Sequence, residues 1–384
     1  MIPYSTQNIS TSDIKFVSNT LKADFLTQGP EIGKFEEEIC EISKAKYSLA
    51  VNSATSALHL ACLSLGLGPG DYFWTSPNSF VSSANCGLMC GAKVDFVDIN
   101  PKTYNMSTQA LESKLIEAEK VGRLPKVVIP VHFAGQSCDM KKINELSKKY
   151  KFKIIEDASH ALGASYMGYQ VGSCKYSDIS VFSFHAVKII TTGEGGSITT
   201  QSKEIFEKIK LLRSHGITRD FETGKALDEP WVYKQQCLGY NYRITDFQAS
   251  LGISQLSRLE KLQSKRLQIF ELYQSNLNNL PVIFPYQDPK CKSSFHLYPL
   301  QIDINSTSRG RLEIFNLLRK KGIGVNVHYI PIHTQPFYRE MGFKEGDYPN
   351  AENYYARAIS LPIFPNLTLD QQKKVIKDLH EVIK

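Results

Sequence analysis

From residue 47 to residue 200 the chain alternates short apolar runs with stretches whose apolar residues recur at helical spacing. The runs occupy residues 47–51, 72–75, 93–97, 127–131, 153–155, 179–184 and 196–200. Their length and β-branched content predict strands. Between them, residues 55–65 carry Leu58, Leu60, Ala61 and Leu65, and a helix capped by Asp139 turns Ile143 and Leu146 inward. Strand and helix in alternation argue for an α/β architecture, a mostly parallel sheet covered on both faces. A long helix is expected over residues 246–275. It leads into a smaller C-terminal region of mixed strands and helices from about residue 278. A helix over residues 11–22 is expected to pack beside that region. These patterns predict a large α/β domain with an N-terminal arm over residues 1–255 and a smaller C-terminal α/β domain over 256–384.

A chain of 384 residues is long enough for two domains, or for one large domain with a lobe. With 42% hydrophobic and 22% charged residues, disordered and fibrous classes are excluded. The formal charge of +7 is spread among acids, as in Lys34 to Glu38, with no basic stripe. It reads as a solvated surface with a basic excess or as an attraction for anionic small molecules, and nucleic acid is not an expected partner. The eight cysteines form no C-x-x-C pair and no Cys/His cluster at zinc spacing. Cys86 and Cys90 are four apart, with no second pair to answer them. No metal site is expected, and reduced thiols suggest a cytoplasmic enzyme. Residues 1–5 do not read as a signal peptide, and no apolar run reaches the ~18 residues needed to span a bilayer, so no membrane partner is expected.

Ligands of open parallel sheets bind beyond the carboxyl ends of the strands. After residues 47–51 come Asn52, Ser53, Ala54 and Thr55, small polar residues opening a helix. They form either a phosphate site or a plain capped helix. Phe80, after the second strand, is either a ring that stacks on a flat cofactor or part of the core. Asp157, after residues 153–155, is costly to bury without a partner such as a cationic ring nitrogen, or else caps the next loop. Past residue 184 comes His185-Ala186-Val187-Lys188-Ile189-Ile190. Desolvation of Lys188 among apolar neighbours would lower its pKa and suit Schiff-base chemistry, whereas an ordinary lysine there would snorkel to the surface. A phosphate-binding helix start, a stacking ring, a buried carboxylate and a desolvated lysine at one sheet edge are what pyridoxal 5'-phosphate requires.

The run Glu156-Asp157-Ala158-Ser159-His160-Ala161-Leu162-Gly163, followed by residues 183–188 and Glu194-Gly195-Gly196, resembles the DegT/DnrJ/StrS sugar aminotransferases. The likeness runs from Phe25-Leu26-Thr27-Gln28-Gly29-Pro30 through Gly239-Tyr240-Asn241-Tyr242-Arg243 to His328-Tyr329-Ile330-Pro331-Ile332-His333. It implies the aspartate-aminotransferase-like fold, PLP fold type I. Residues 52–58, 131–137 and 184–196 look most like the aminotransferases of pseudaminic acid biosynthesis. Those use L-glutamate to aminate C4 of a UDP-linked 4-keto-6-deoxy N-acetyl sugar.

The resemblance implies that Lys188 is catalytic and carries the cofactor as a Schiff base. Asp157 would pair with the ring nitrogen, His160 would lie near the phenolic oxygen, and Phe80 would stack on the ring. Ala54, Thr55 and Ser183 would hold the phosphate, with Asn241 reaching it from a second subunit of a homodimer. Many relatives have glycine in place of Ala54, so backbone approach to the phosphate is slightly narrower here. Tyr4, Asp24, Phe25, Leu26, Thr27, Ser53, His328 and Tyr329 would bind substrate, although His328 is equally compatible with a structural role. A dinucleotide-binding oxidoreductase is disfavoured, because Gly66-Leu67-Gly68-Pro69-Gly70-Asp71 follows a helix and contains proline. A sugar dehydratase of the same family would carry histidine in place of Lys188. A non-catalytic sugar-nucleotide binding protein on this fold is disfavoured by the presence of Lys188 and Asp157.

Overall fold

The protein is described by a computed structural model covering residues 1–218 and 231–383. Its centre is a seven-stranded sheet of β1 (Tyr47–Val51), β2 (Tyr72–Thr75), β3 (Lys93–Phe96), β4 (Val127–Ile129), β5 (Lys153–Asp157), β6 (Ile179–Ser183) and β7 (Gly196–Thr200). The spatial order is β1-β7-β6-β5-β4-β2-β3. β7 runs antiparallel to both its neighbours, and the other pairs are parallel.

The strands are near-continuous apolar runs because both sheet faces are buried. Phe73, Val127, Ile129 and Ile155 point into one core with Leu58, Ala61 and Cys62 of helix α3 (Ala54–Ser64), which follows α1 (Thr11–Thr20) and α2 (Pro30–Ser43). Their neighbours Trp74, Val128 and Ile154 point into the opposite core. There they meet Leu111 and Leu115 of the helix Thr108–Lys120 and Ile143 and Leu146 of the helix Met140–Tyr150. Asp139 caps the latter, accepting from the Lys142 N–H at 3.3 Å.

Two boundaries differ from the sequence reading in ways that matter for the site. The fourth run ends at Ile129, where Pro130 has no N–H to donate to a ladder. The fifth extends to Asp157, so that carboxylate lies within the last residue of a buried strand.

The helix expected over residues 246–275 is two helices, Asp246–Leu256 and Leu259–Asn276. Arg258 between them leaves helical geometry, at φ −114° and ψ 8°. Its guanidinium bonds Asp13 Oδ2 at 2.6 Å and Asn8 Oδ1 at 2.6 Å. Ser254 and Gln255 also donate to the fully buried Asp13 carboxylate, at 2.7 and 2.8 Å. These bonds place the N-terminal helix, Thr11–Thr20, against Asp246–Leu256 and not beside the C-terminal region.

A second core gathers round a three-stranded antiparallel sheet of Val282–Ile283, Tyr298–Ile302 and Ala358–Leu361. Ile2 of the N-terminal arm joins it, together with Ile314 and Leu318, and Val375 and Leu379 of the helix Leu369–Ile383. Among the described residues no helix is long and apolar enough to cross a membrane.

Gly196 opens β7 between Val51 and Ser183. A Cβ there would lie 2.7 Å from the Ala54 nitrogen and 2.8 Å from the Ser53 carbonyl carbon. Both are backbone atoms at the start of α3, so neither can swing aside. Gly196→Ala is expected to cost about 1–3 kcal/mol, the usual range for overpacking. Chemical denaturation checks this, and an unchanged midpoint would refute the tight contact.

Candidate active site

The carboxyl ends of β1, β2, β5 and β6 open on one cavity of about 560 Å³. At the end of β1, Ser53 caps α3, its hydroxyl accepting from the Ser56 N–H at 3.1 Å. Ala54 and Thr55, the first helical residues, line the cavity. The first N–H groups of a helix lack intrahelical acceptors and sit at the positive end of its dipole, which suits a phosphate.

Phe80 follows β2. Its ring lines the cavity and is 58% exposed in this chain. Just beyond it begins helix α4 (Ser82–Leu88).

Asp157 is 3% exposed. Its Oδ2 accepts from Ser83 Oγ at 2.6 Å, and its Oδ1 accepts from Ser159 Oγ at 2.6 Å and Ser159 N at 3.2 Å. Among the described residues no ion pair neutralises it. A buried carboxylate held only by neutral donors favours a cation on its open side.

After β6, Ser183 leads into a loop tied back to the sheet. Phe184 N donates to Gly195 O at 2.9 Å, and Thr192 N donates to Phe184 O at 3.0 Å. Ile189 and Ile190 anchor the loop in the core with Phe182 and Phe184. Lys188, just before that anchor, lines the cavity. Desolvation pushes its ammonium down to about 8, and the charge of Asp157 opposes that shift only in part. An amine titrating there is a usable nucleophile and proton carrier near neutral pH.

His160 lines the wall with Nε2 3.2 Å from the Tyr329 hydroxyl and Nδ1 buried with no partner among the described residues. Burial, then the charges of Lys188 and His328, hold its pKa well below the usual histidine range. His328 is 6% exposed and bonds Ser360 Oγ through Nδ1 at 2.8 Å. Burial and Lys188 push it down to about 3, so it is an uncharged ring with a firm structural tie. Tyr4 packs on it at 5.4 Å between ring centroids.

The cavity therefore brings together Tyr4, Ser53, Ala54, Thr55, Phe80, Asp157, His160, Ser183, Lys188, His328 and Tyr329. It does not include Asp24, Phe25, Leu26, Thr27 or Asn241. Asp24 and Phe25 line a separate groove with Phe16 and Lys34. Thr27 bridges Thr245, and Leu26 O accepts from Asp246 N at 2.9 Å. Asn241 is exposed, on a loop held by Asn52 N to Tyr242 O at 2.9 Å.

Two contributors escaped the sequence reading. Ser83 holds Asp157 but sits in an unremarkable Ser82-Ser83 pair. His296 packs tilted against His160 at 4.4 Å between centroids, yet comes from a loop before Tyr298–Ile302 that carries no motif.

Residues 7–380 match the DegT/DnrJ/EryC1/StrS aminotransferase family. The chain is 40% identical over 386 residues to the UDP-4-amino-4,6-dideoxy-N-acetyl-beta-L-altrosamine transaminase of Campylobacter jejuni, covering 100% of this chain and 98% of that one. Helicobacter pylori PseC, an aminotransferase of pseudaminic acid biosynthesis, superposes with a TM-score of 0.90 at 33% identity, covering 100% and 99% of the two chains. The PLP form of Spr1654 from Streptococcus pneumoniae superposes with a TM-score of 0.90 at 30% identity, covering 100% of both. The orphaned His160 Nδ1, the carboxylate without a counter-ion and the open helix start fit pyridoxal phosphate.

The Lys188 pKa makes a prediction with a definite sign. The neutral amine attacks, and its fraction rises with pH until the pH passes about 8. Covalent capture of pyridoxal phosphate by the cofactor-free protein, trapped with borohydride, should climb about tenfold per pH unit well below that value. It should then level off. Lys188→Ala should abolish trapping. A flat profile, or trapping that survives in the variant, would refute the assignment.

Proposed function

The chain belongs to the DegT/DnrJ/EryC1/StrS aminotransferase family, and from that premise we propose that it aminates C4 of a UDP-linked 4-keto-6-deoxy N-acetyl sugar with L-glutamate as donor. The product on this reading is UDP-4-amino-4,6-dideoxy-N-acetyl-beta-L-altrosamine, for pseudaminic acid biosynthesis in the cytoplasm. The observation that carries it is full-length similarity to the Campylobacter jejuni transaminase. Nucleotide-sugar aminotransferases of this family are PLP-dependent, and the cofactor supplies a sink for the electron pair released when the donor's Cα–H bond breaks.

Each protein group then has a task. Lys188 moves the proton at the donor's Cα and later at the sugar's C4, from a cavity wall that keeps its amine near half-neutral at pH of about 8. Asp157, oriented by Ser83 and Ser159, keeps the ring nitrogen protonated. His160 stays uncharged and offers Nδ1 to the phenolic oxygen, while Tyr329 fixes its other nitrogen. Phe80 covers one ring face and excludes water. Ala54, Thr55 and Ser183 hold the phosphate. Tyr4, Ser53, His328 and Tyr329 bind substrate from the cavity wall. Donor and acceptor occupy the same site in turn, so the kinetics are expected to be ping-pong.

Asp24, Phe25, Leu26, Thr27 and Asn241 act in a homodimer. Their exposure in one chain fits residues that complete a site made by two copies, with Asn241 of each subunit reaching the phosphate of the other.

Two experiments test the reading. NMR couplings at C4 and C5 of the product should show the altro 4-amino sugar. If only a dTDP- or GDP-linked ketone, a 3-keto sugar or the D-xylo ketone is aminated, the substrate assignment fails while the aminotransferase stands.

The dimer is tested by subunit mixing. Lys188→Ala and Asn241→Ala proteins should each be impaired. Dimers exchanged between them should contain one site with both wild-type residues and regain turnover. Absence of any gain, with exchange verified by native mass spectrometry, would count against the shared site.

A further inference from the structure

Ser79 and Ser83 stand on either side of Phe80, on the turn that presents its ring to the cavity. Ser83 N donates to Phe80 O at 3.2 Å and Ala84 N to Val81 O at 3.1 Å, so the turn runs helically into α4. Side chains four apart on a helical turn face one another, and here the two hydroxyl oxygens lie 2.7 Å apart. Ser83 Oγ also lies 2.6 Å from Asp157 Oδ2. Ser79, Ser83 and Asp157 are 3%, 0% and 3% exposed. At that depth every hydroxyl hydrogen has to find an acceptor.

Counting hydrogens fixes the direction of these bonds. Each serine hydroxyl has one hydrogen to give, and an ionised carboxylate can only accept. A bond to a charged oxygen is roughly twice as strong as one between neutral groups. Ser83 therefore gives its hydrogen to Asp157 and not to Ser79. Its oxygen is left to accept, and Ser79 is the donor to it. A chain of hydroxyls thus runs from Ser79 through Ser83 to Oδ2. On the other flank, Ser159 spends both its hydroxyl hydrogen and its N–H on Oδ1. Ser79 and Ser159 both line the Lys188 cavity. With their hydrogens committed, these two hydroxyls have only lone pairs left for a ligand. The open side of Asp157 is thus flanked by acceptors, and a protonated ring nitrogen is the guest that matches them.

We propose that Ser79 is a positioning residue for the ring-nitrogen end of the cofactor. Through Ser83 it directs a hydroxyl chain onto Asp157 that keeps the carboxylate the weaker base, so that the shared proton stays on the nitrogen. The inference rests on the pyridoxal phosphate reading of the cavity and requires no particular sugar. Hydrogen bonds to a carboxylate stabilise its charged form, and each bond in a chain polarises the next. Ser79 in this way acts on Asp157 without touching it. The turn that places Phe80 against the ring face also sets the basicity of the carboxylate at the ring nitrogen.

The test uses the full-length protein loaded with pyridoxal phosphate labelled with 15N in the ring, with no donor or sugar present. The 15N chemical shift reports where the proton lies. Wild type should give the signal of a protonated ring. Ser83→Ala should move it toward the unprotonated value, because a carboxylate with one donor fewer holds a proton more tightly. Ser83→Cys, a weaker donor of similar size, should fall between the two. Ser79→Ala should move the signal the same way by roughly 10–30% of the Ser83→Ala displacement, the share by which one hydrogen bond strengthens the next. Added to Ser83→Ala, it should move nothing further, since the chain is already cut. Ser79→Thr keeps the hydroxyl and should leave the signal at the wild-type position. Circular dichroism establishes that each variant is folded. A Ser79→Ala signal at the wild-type position, or one displaced equally in both backgrounds, would overturn the proposal while Asp157 keeps its role. If neither Ser83 variant moves the signal, the pairing of Asp157 with the ring nitrogen fails, and the proposal fails with it.

Discussion

The negative charge buried on Asp157 constrains everything around it. Three hydrogen bonds from neutral groups satisfy its oxygens without cancelling its charge. Leaving a buried charge unmatched costs several kcal/mol, so the arrangement persists only because its open side faces a cavity that admits a cation. The sheet supplies the burial. β5 lies between β4 and β6 and carries its pairing through to Asp157 itself, so the carboxylate is placed by backbone ladder bonds and not by a loop. Ser83, from a helix after another strand, then fixes its rotation. The Asp157 charge also acts on Lys188 and raises an amine that burial alone would depress further.

Much of this was legible in the sequence because burial on both faces leaves a strong pattern. Seven apolar runs became the seven strands of the central sheet, and the residues after four of them became the cavity wall. What escaped the pattern depended on partners far away in the chain. The break at Arg258 follows from a carboxylate 245 positions earlier, and nothing local between 246 and 275 announces it. Ser83 and His296 matter for what they touch, and neither local context marks them. Asp24 to Thr27 and Asn241 entered only through family resemblance, since exposed polar and apolar residues on a loop carry no local sign of a site.

The cavity also shows how one cation is kept alone. His160, His296 and His328 surround Lys188, and burial is the first cause holding each imidazole far below its usual range. Mutual repulsion with Lys188 adds to it. Such rings donate and accept hydrogen bonds without contributing charge. The unfolded chain would protonate them near pH ~6.5. The stability tied to their neutral state is therefore complete above that value and drains away as pH falls through it. That penalty is the counterpart of a cavity in which, among the described residues, Lys188 is the only side-chain amine.

The same economy of charge bears on assembly. Among the described residues no arginine lines the cavity, and Lys188 is its only lysine. Glutamate and a nucleotide diphosphate, in the proposed reaction, together bring several negative charges. The α3 N-terminus can meet one phosphate with backbone N–H groups, but it is a single helix end. The remaining anionic groups need donors from outside this wall. Asn241 sits on an exposed loop beside Arg243, whose backbone bridges Val51 at the end of β1, next to the residues that open α3. A loop anchored so close to its own cofactor site yet turned away from it is well placed to serve a second copy. On the proposed homodimer, the second chain would supply such donors and would cover the exposed Phe25 and Leu26.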